Sequence, residues 1–269
     1  MKLEDIDGGT KLYVIIGDPV SAVRTPGVFN EMFVRQDTNA VLVPLHVAAA
    51  HLESVWAGLK AIRNLHGVVI TMPHKSRMCG LVDSLGQNGK VVGAINAARR
   101  TSDDTWEGDM FDGLGCVNGL QKQGHSVAGK SVFLMGTGGA GAAIASAMAQ
   151  AGVRRLVITD VNAERLGQVM ANVRREYPRL SIAAGQIGQE EFDLAINATP
   201  LGMRPEDPLP FDPSGLPEST LVVDVITKPE ITPLLSRAQE TGHRIQSGRH
   251  MHRGQAVACA EFFGFDLGW

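Results

Sequence analysis

The chain has no surplus of basic residues: 25 Lys and Arg stand against 28 Asp and Glu, for a net charge of −3. With no long basic run, the balance argues against nucleic acid or an anionic membrane surface as a partner. Cysteine is scarce as well. The three, Cys79, Cys116 and Cys259, are odd in number and far apart, which speaks against a disulfide framework and for reduced thiols in a cytoplasmic protein. Long apolar runs are missing too. Met1 to Asp7 is acidic and lacks the apolar core of a signal peptide, and the apolar stretch Ala140 to Ala149 is too short to span a bilayer. His250 and His252 have no third ligand at metal spacing, so no metal is expected. Internal repeats and low-complexity segments are absent.

What is present suffices for two modest domains, with 269 residues of which 44% are hydrophobic. Strand-like runs at Leu12–Gly17, Ala40–Leu45 and Gly67–Thr71 alternate with helical spacing at Gly27–Arg35 and Ala48–Ile62. This alternation implies α/β architecture with a parallel sheet. Ala94–Arg99 and Trp106–Asp109 read as a hairpin around Thr101–Asp104, and a helix is expected after Asp112-Gly113 as far as Gly124. A Rossmann-like unit begins near Lys130, with later strands at Phe192–Asn197 and Thr220–Asp224 and a Pro-rich surface loop between them. A last helix, about Gly254 to Phe263, is apolar enough to pack back on the first domain. The expected division is a substrate domain, 1–113, completed by 242–269, and a dinucleotide-binding domain, 114–241.

The most specific local pattern is Gly136-Thr137-Gly138-Gly139-Ala140-Gly141. It follows the apolar Ser131–Met135 and opens a small-residue helix, Ala142 to Gln150. A second apolar run then ends in Asp160. Strand, Gly-x-Gly-x-x-Gly, helix, strand, acid is the order a dinucleotide site requires. Gly136 permits the tight turn, Gly138 lets backbone N–H groups near a pyrophosphate, and Gly141 lets the helix pack closely. A carboxylate at Asp160 accepts hydrogen bonds from a ribose and repels a 2′-phosphate, which favours NAD. Arg165 is either an exposed helix charge or a phosphate ligand, so NADP stays open.

Upstream, Thr71-Met72-Pro73-His74-Lys75 sets a lysine just after a buried strand and a proline-defined turn. Taken alone it is an ordinary surface charge. Asn96 ends another strand-like run, and Asp112 follows Gly108-Asp109. A lysine and an aspartate converging in a cleft form a workable proton-transfer pair, because the carboxylate orients the ammonium and the site tunes its pKa. His74 reads as a packing residue rather than a base.

Together these pieces resemble a shikimate dehydrogenase over nearly the whole chain. The matching segments are Gly17-Asp18-Pro19, Thr71 to Lys75, Gly93-Ala94-Ile95-Asn96, Gly108 to Gly113, the glycine run, Ile196 to Met203, Thr232 to Leu235, and Gln255. The resemblance implies that Lys75 and Asp112 form the catalytic pair. It implies that Thr71, Asn96 and Gln255 bind ring hydroxyls. It also implies that Thr199 ends a strand near the cofactor, with Val225 and Gly248 at the nicotinamide end. In bland terms Thr199 is a strand cap and Gln255 a solvent-facing helix residue.

The departures fall on the substrate side. Two serines that the family offers to the substrate carboxylate are Val23 and Thr25 here, and the loss of one such donor costs about 1.5–3 kcal/mol. Asn-Thr before the catalytic aspartate is replaced by Met110-Phe111, and a tyrosine by Thr227. The implied function is reversible oxidation of shikimate to 3-dehydroshikimate with NAD, or NADP, in a cleft between two domains. Quinate or an amino analogue is the alternative substrate. A methylenetetrahydrofolate dehydrogenase on the same plan, or a weakly active ligand-sensing module, are the competing readings.

Overall fold

The computed structural model describes residues 6–21, 23–188 and 191–268. Met1 to Asp5 of the acidic N-terminal stretch, and Ala22 of the altered loop, lie outside the described residues. The chain divides into two compact units, Met1–Phe111 with Ala256–Trp269, and Asp112–Gln255.

In the first unit the order is β1 (Lys11–Gly17), α1 (Thr25–Arg35), β2 (Ala40–His46), α2 (Leu52–Ala61), β3 (Leu65–Ile70), α3 (Lys75–Met78), β4 (Ser84–Leu85), α4 (Gln87–Val92), β5 (Ala97–Arg100) and β6 (Trp106–Asp109). The strands form one sheet, β2-β1-β3-β5-β6-β4. The expectation of a parallel sheet holds for β2, β1 and β3. The expected hairpin is present as β5 and β6, antiparallel about the Thr101–Asp104 turn, and β5 also pairs antiparallel with β3, where the sheet departs from the parallel arrangement. Val14, Ile16, Val68 and Ile70 bury one face of the sheet with Trp56 of α2 and Trp106. Tyr13 on β1 packs against Phe33 and Phe263, with ring centroids 5.5 and 5.3 Å apart. The C-terminal residues thus close this unit's aromatic cluster. Ala48–Ile62, expected as one helix, is a 3₁₀ turn at Ala49–His51 followed by α2.

The second unit contains α5 (Asp112–Lys122), β7 (Ser131–Met135), α6 (Gly139–Gln150), β8 (Arg155–Thr159), α7 (Ala163–Glu176), β9 (Ser181–Ala184), β10 (Leu194–Asn197), β11 (Leu221–Asp224), α8 (Pro233–Glu240), β12 (Arg244–Gln246) and the start of α9 (Gly248–Phe262). Its strands are all parallel, in the order β12-β11-β10-β7-β8-β9. The order in which strands are added reverses between β7 and β10, the switch point at which such sheets leave a crevice beyond their carboxyl ends. Leu134, Ile144, Met148, Leu156, Ile158 and Ile196 form the core between the sheet and its helices.

Three boundaries in this half of the chain differ from expectation. Helix α6 starts at Gly139, not Ala142, so the last glycine of the run lies inside the helix. The second unit extends to Gln255 instead of 241, because β12 adds to the sheet edge by pairing with β11. Helix α9 accordingly starts at Gly248, six residues before the expected Gly254, and only Ala256 onward belongs to the first unit.

Phe133 on β7 is 1% exposed and packs against Phe192 and Phe211 at centroid distances of 5.6 and 5.7 Å. Phe133→Ala is expected to destabilise the protein by about 3–5 kcal/mol, measured from the urea midpoint. A loss below ~1 kcal/mol would mean that this cluster does not hold the sheet to its outer layer.

Candidate dinucleotide site and its partner residues

In the second unit the expected cofactor residues gather at the carboxyl ends of the strands. Gly136, at the end of β7, has φ +101°, and a side chain there would meet Ala198 O at 2.8 Å. Gly141, in the first turn of α6, lies against the Gly136 carbonyl, where any side chain would collide. Chirality disfavours the Gly136 conformation for other residues, so this turn needs glycine. Gly138 is the N-cap of α6, and nothing lies within 4 Å of where a side chain would project from Gly138 or Gly139. Two glycines are thus consumed by packing, and two leave backbone open at the N-terminus of a twelve-residue helix. Ala140 follows in the first turn. This cradle fits a dinucleotide pyrophosphate.

Asp160 follows β8 and is drawn into the same turn. Its Oδ2 accepts from Thr137 N at 2.6 Å and from Thr137 Oγ1 at 2.7 Å, and its Oδ1 accepts from Asn162 N at 2.7 Å. Arg165 Nη2 donates to both oxygens, at 2.8 and 3.0 Å. Burial alone would push this carboxyl up, but the hydrogen bonds from Asn162, Thr137 and Arg165 outweigh it and hold it below the usual value. The side chain of Asp160 is 3% exposed and that of Arg165 47%. Thr137 is the residue that reasoning from sequence missed here; its position inside the glycine run was the available signal.

At the other side of the switch point, Asn197 Oδ1 accepts from Thr199 N and Thr199 Oγ1, at 3.0 and 2.7 Å. Thr199 is therefore engaged in a turn that caps β10. Asn197 Nδ2 donates to Asp224 Oδ1 at 3.2 Å, and Thr232 Oγ1 donates to Asp224 Oδ2 at 2.7 Å. Asp224 is fully buried, and burial pushes its carboxyl above the ordinary value. Like Asp160 it is an acid at the end of a buried strand, a signal applied to β8 and overlooked at β11. Val225 donates its N–H to Asn197 O at 3.1 Å, and Gly248 packs on the carbonyls of Val225 and Ile226. Val225 and Gly248 are thereby brought together, whereas Thr227 is exposed. Asp112 and Gln255 also belong to this unit, Asp112 as the buried first residue of α5.

In the first unit three expected residues meet where β3 ends and β5 begins, Asn96 standing just before β5 instead of ending a strand as expected. Thr71 N donates to Ile16 O at 3.0 Å, and Ile70 N to Asn96 O at 2.8 Å. The Lys75 carbonyl accepts from Ile95 N at 3.0 Å, which ties the start of α3 to the residue before Asn96. Asn96 is 1% exposed, and its Oδ1 accepts from Phe111 N at 2.9 Å. Asp109 Oδ1 accepts from Gly89 N and Met110 N, at 2.6 and 2.9 Å. The backbone at Met110 and Phe111 is held by side chains of its own unit. His74 is buried, with Nε2 2.7 Å from Val47 O, and serves packing. Val23 is half-buried, and Thr25 is buried at the start of α1. Among the described residues no cluster has the makings of a metal site, and no helix is long and apolar enough to cross a membrane.

A glycine turn at the switch point of an all-parallel sheet in one unit, and a lysine, a threonine and an asparagine gathered in the other, define an α/β dehydrogenase of two units. A family model, the shikimate dehydrogenase substrate binding domain, matches residues 15–98. A shikimate dehydrogenase (NADP(+)) of Rubrobacter xylanophilus is 36% identical over 96% of this chain and 92% of its own. The structure of shikimate 5-dehydrogenase from Listeria monocytogenes in complex with shikimate and NAD has a TM-score of 0.90 at 27% identity, covering 96% of this chain and 93% of that one. Quinate dehydrogenase from Corynebacterium glutamicum in complex with NAD has a TM-score of 0.85 at 25% identity, covering 94% and 93%. The chain belongs to the shikimate dehydrogenase family. It is a nicotinamide-dinucleotide-dependent oxidoreductase acting on a CH–OH group.

Asp160 carries a pH prediction. Its folded value lies below its unfolded one, so its stabilising contribution is complete above the unfolded value of about 3.9 and is lost as pH falls through the lowered folded value. Asp160→Asn is expected to flatten the fall of Tm between about pH 5 and pH 2. Parallel curves for the two proteins would contradict that contribution.

Proposed function

We propose that this protein catalyses the reversible NAD-dependent oxidation of shikimate to 3-dehydroshikimate. The observation that carries this reading is the convergence of Thr71, Lys75 and Asn96 where β3 ends and β5 begins, in a chain of this family. The second unit holds the dinucleotide through Gly136, Gly138, Gly139, Ala140 and Gly141. When bound, the dinucleotide supplies the hydride acceptor. Lys75 takes the hydroxyl proton as the carbinol carbon becomes a ketone, and Lys75 with Asp112 is the proton-transfer pair. Thr71, Asn96 and Gln255 bind the ring hydroxyls, Val23 and Thr25 stand in for the two serines that serve the carboxylate, and Thr227 stands in for a tyrosine of the substrate wall. The buried thiol of Cys116, pushed up to about 12 by burial, is poorly reactive and suits a reducing cytoplasm.

The preference for NAD rests on what surrounds Asp160. A 2′-phosphate placed there meets a carboxylate, and the nearby Arg165 is already paired with it. Val161, 98% exposed, adds no cation. Quinate is a second reading, favoured by the likeness to an NAD-bound quinate dehydrogenase.

Assays of shikimate and quinate with each dinucleotide, followed by nicotinamide absorbance, test the whole reading. Lys75→Ala is expected to lower kcat by about 10²–10⁴ with KM changed far less. An unchanged kcat removes Lys75 from the chemistry. For the cofactor, kcat/KM with NAD is expected to exceed that with NADP by at least ~10-fold, a difference of about 1.4 kcal/mol. Asp160→Asn should narrow that ratio by freeing Arg165, and an equal or reversed ratio in the unaltered enzyme refutes the preference.

A further inference from the structure

Helix α5 begins with Asp112 and carries glycine at 113, 115 and 119, which is costly for a helix unless close packing requires it. A side chain at Gly115 would stand 2.6 Å from Gln255 N, 2.7 Å from Gln255 Cβ and 2.7 Å from Met251 O. One turn on, a side chain at Gly119 would stand 2.8 Å from His250 O and 3.1 Å from Met251 N. Positions i and i+4 share one helix face, so these two glycines form a strip on which the first turns of α9 lie, backbone to backbone. Gly113 points elsewhere. It meets the Ala143 carbonyl, and a side chain there would also come within 2.8 Å of Ala147 Cβ, both on α6.

We propose that Gly115 and Gly119 are positioning residues for substrate recognition: they form the seat that sets where Gln255 stands. The inference rests on the reading of Gln255 as a ligand of the ring hydroxyls. Neither glycine touches the substrate; each acts through the standoff between α5 and α9. Adding one methyl group forces the α9 backbone outward, since the atoms in the way are main-chain N, O and Cβ and no rotamer relieves them. The displacement is greatest at Gln255 for position 115 and one turn away for position 119. Gly113 performs the corresponding task for α6, the helix that opens on the glycine turn. One helix therefore sets two standoffs from two faces.

The test combines the folded variants Gly115→Ala, Gly119→Ala and Gly113→Ala with Gln255→Ala, reading shikimate KM, kcat and the dinucleotide Kd by calorimetry. Gly115→Ala is expected to raise the shikimate KM about tenfold and Gly119→Ala about threefold, with the dinucleotide Kd within twofold. In the Gln255→Ala background both effects should vanish, because nothing remains to be displaced. Gly113→Ala should show the opposite split, raising the dinucleotide Kd more than the shikimate KM. The seat is overturned if the KM effects persist without the Gln255 side chain, or if substrate and dinucleotide weaken by the same factor. If Gly115→Ala does not fold, Gly119→Ala, with the looser contact, carries the same comparison. A Gln255→Ala enzyme with unaltered KM overturns the substrate role of Gln255 and the seat together. A raised KM in Gln255→Ala with none in Gly115→Ala overturns the seat alone.

Discussion

The turn after β7 rests on one steric fact: the backbone of Gly136 lies against Ala198, and the backbone of Gly136 in turn receives Gly141. The first contact locks the end of β7 to the continuation of β10, which is the switch point of the sheet. The second brings α6 down on that turn and aims its open N-terminus outward. The same turn points Thr137 at Asp160, so the strand-end acid of β8 is tied to the glycine run by two hydrogen bonds. Three parallel strands are thus joined at their carboxyl ends, β7 to β10 by contacts that leave no room for a side chain and β7 to β8 by hydrogen bonds.

Buried carboxylates do similar work around both sheets, with different electrostatic results. Asp109 ends β6, Asp224 ends β11 and Asp160 follows β8; each holds loop N–H groups beyond its strand. Asp160 also has a guanidinium and stays below the usual carboxylate range. Asp109 and Asp224 accept from amides, or from amides and a hydroxyl, and burial pushes both up. Depth of burial separates the two outcomes: Asp160 is less desolvated and its hydrogen bonds from Asn162, Thr137 and Arg165 outweigh that cost, whereas at the more deeply buried Asp109 and Asp224 the donors compensate only part of it.

In the first unit the equivalent role falls to Asn96. Its main chain links β3 and β6 and its side chain holds Phe111, while the residue before it anchors the start of α3.

The sequence by itself determined the dinucleotide unit, because its signals are local: a strand, a glycine turn, a helix and an acid within about thirty residues. It also placed Thr71, Lys75 and Asn96, through short motifs at strand ends. Only the tertiary structure decided the rest. That β12 extends the second sheet depends on pairing with β11, a contact that three residues, Arg244–Gln246, do not announce. That Asp160 is enclosed by Thr137 and Arg165, and that Asp224 gathers Asn197 and Thr232, depends on side chains meeting across loops of different strands. The glycines of α5 were visible in the sequence only as poor helix formers. Their reason is the α9 backbone more than a hundred residues later, at a distance no periodicity encodes.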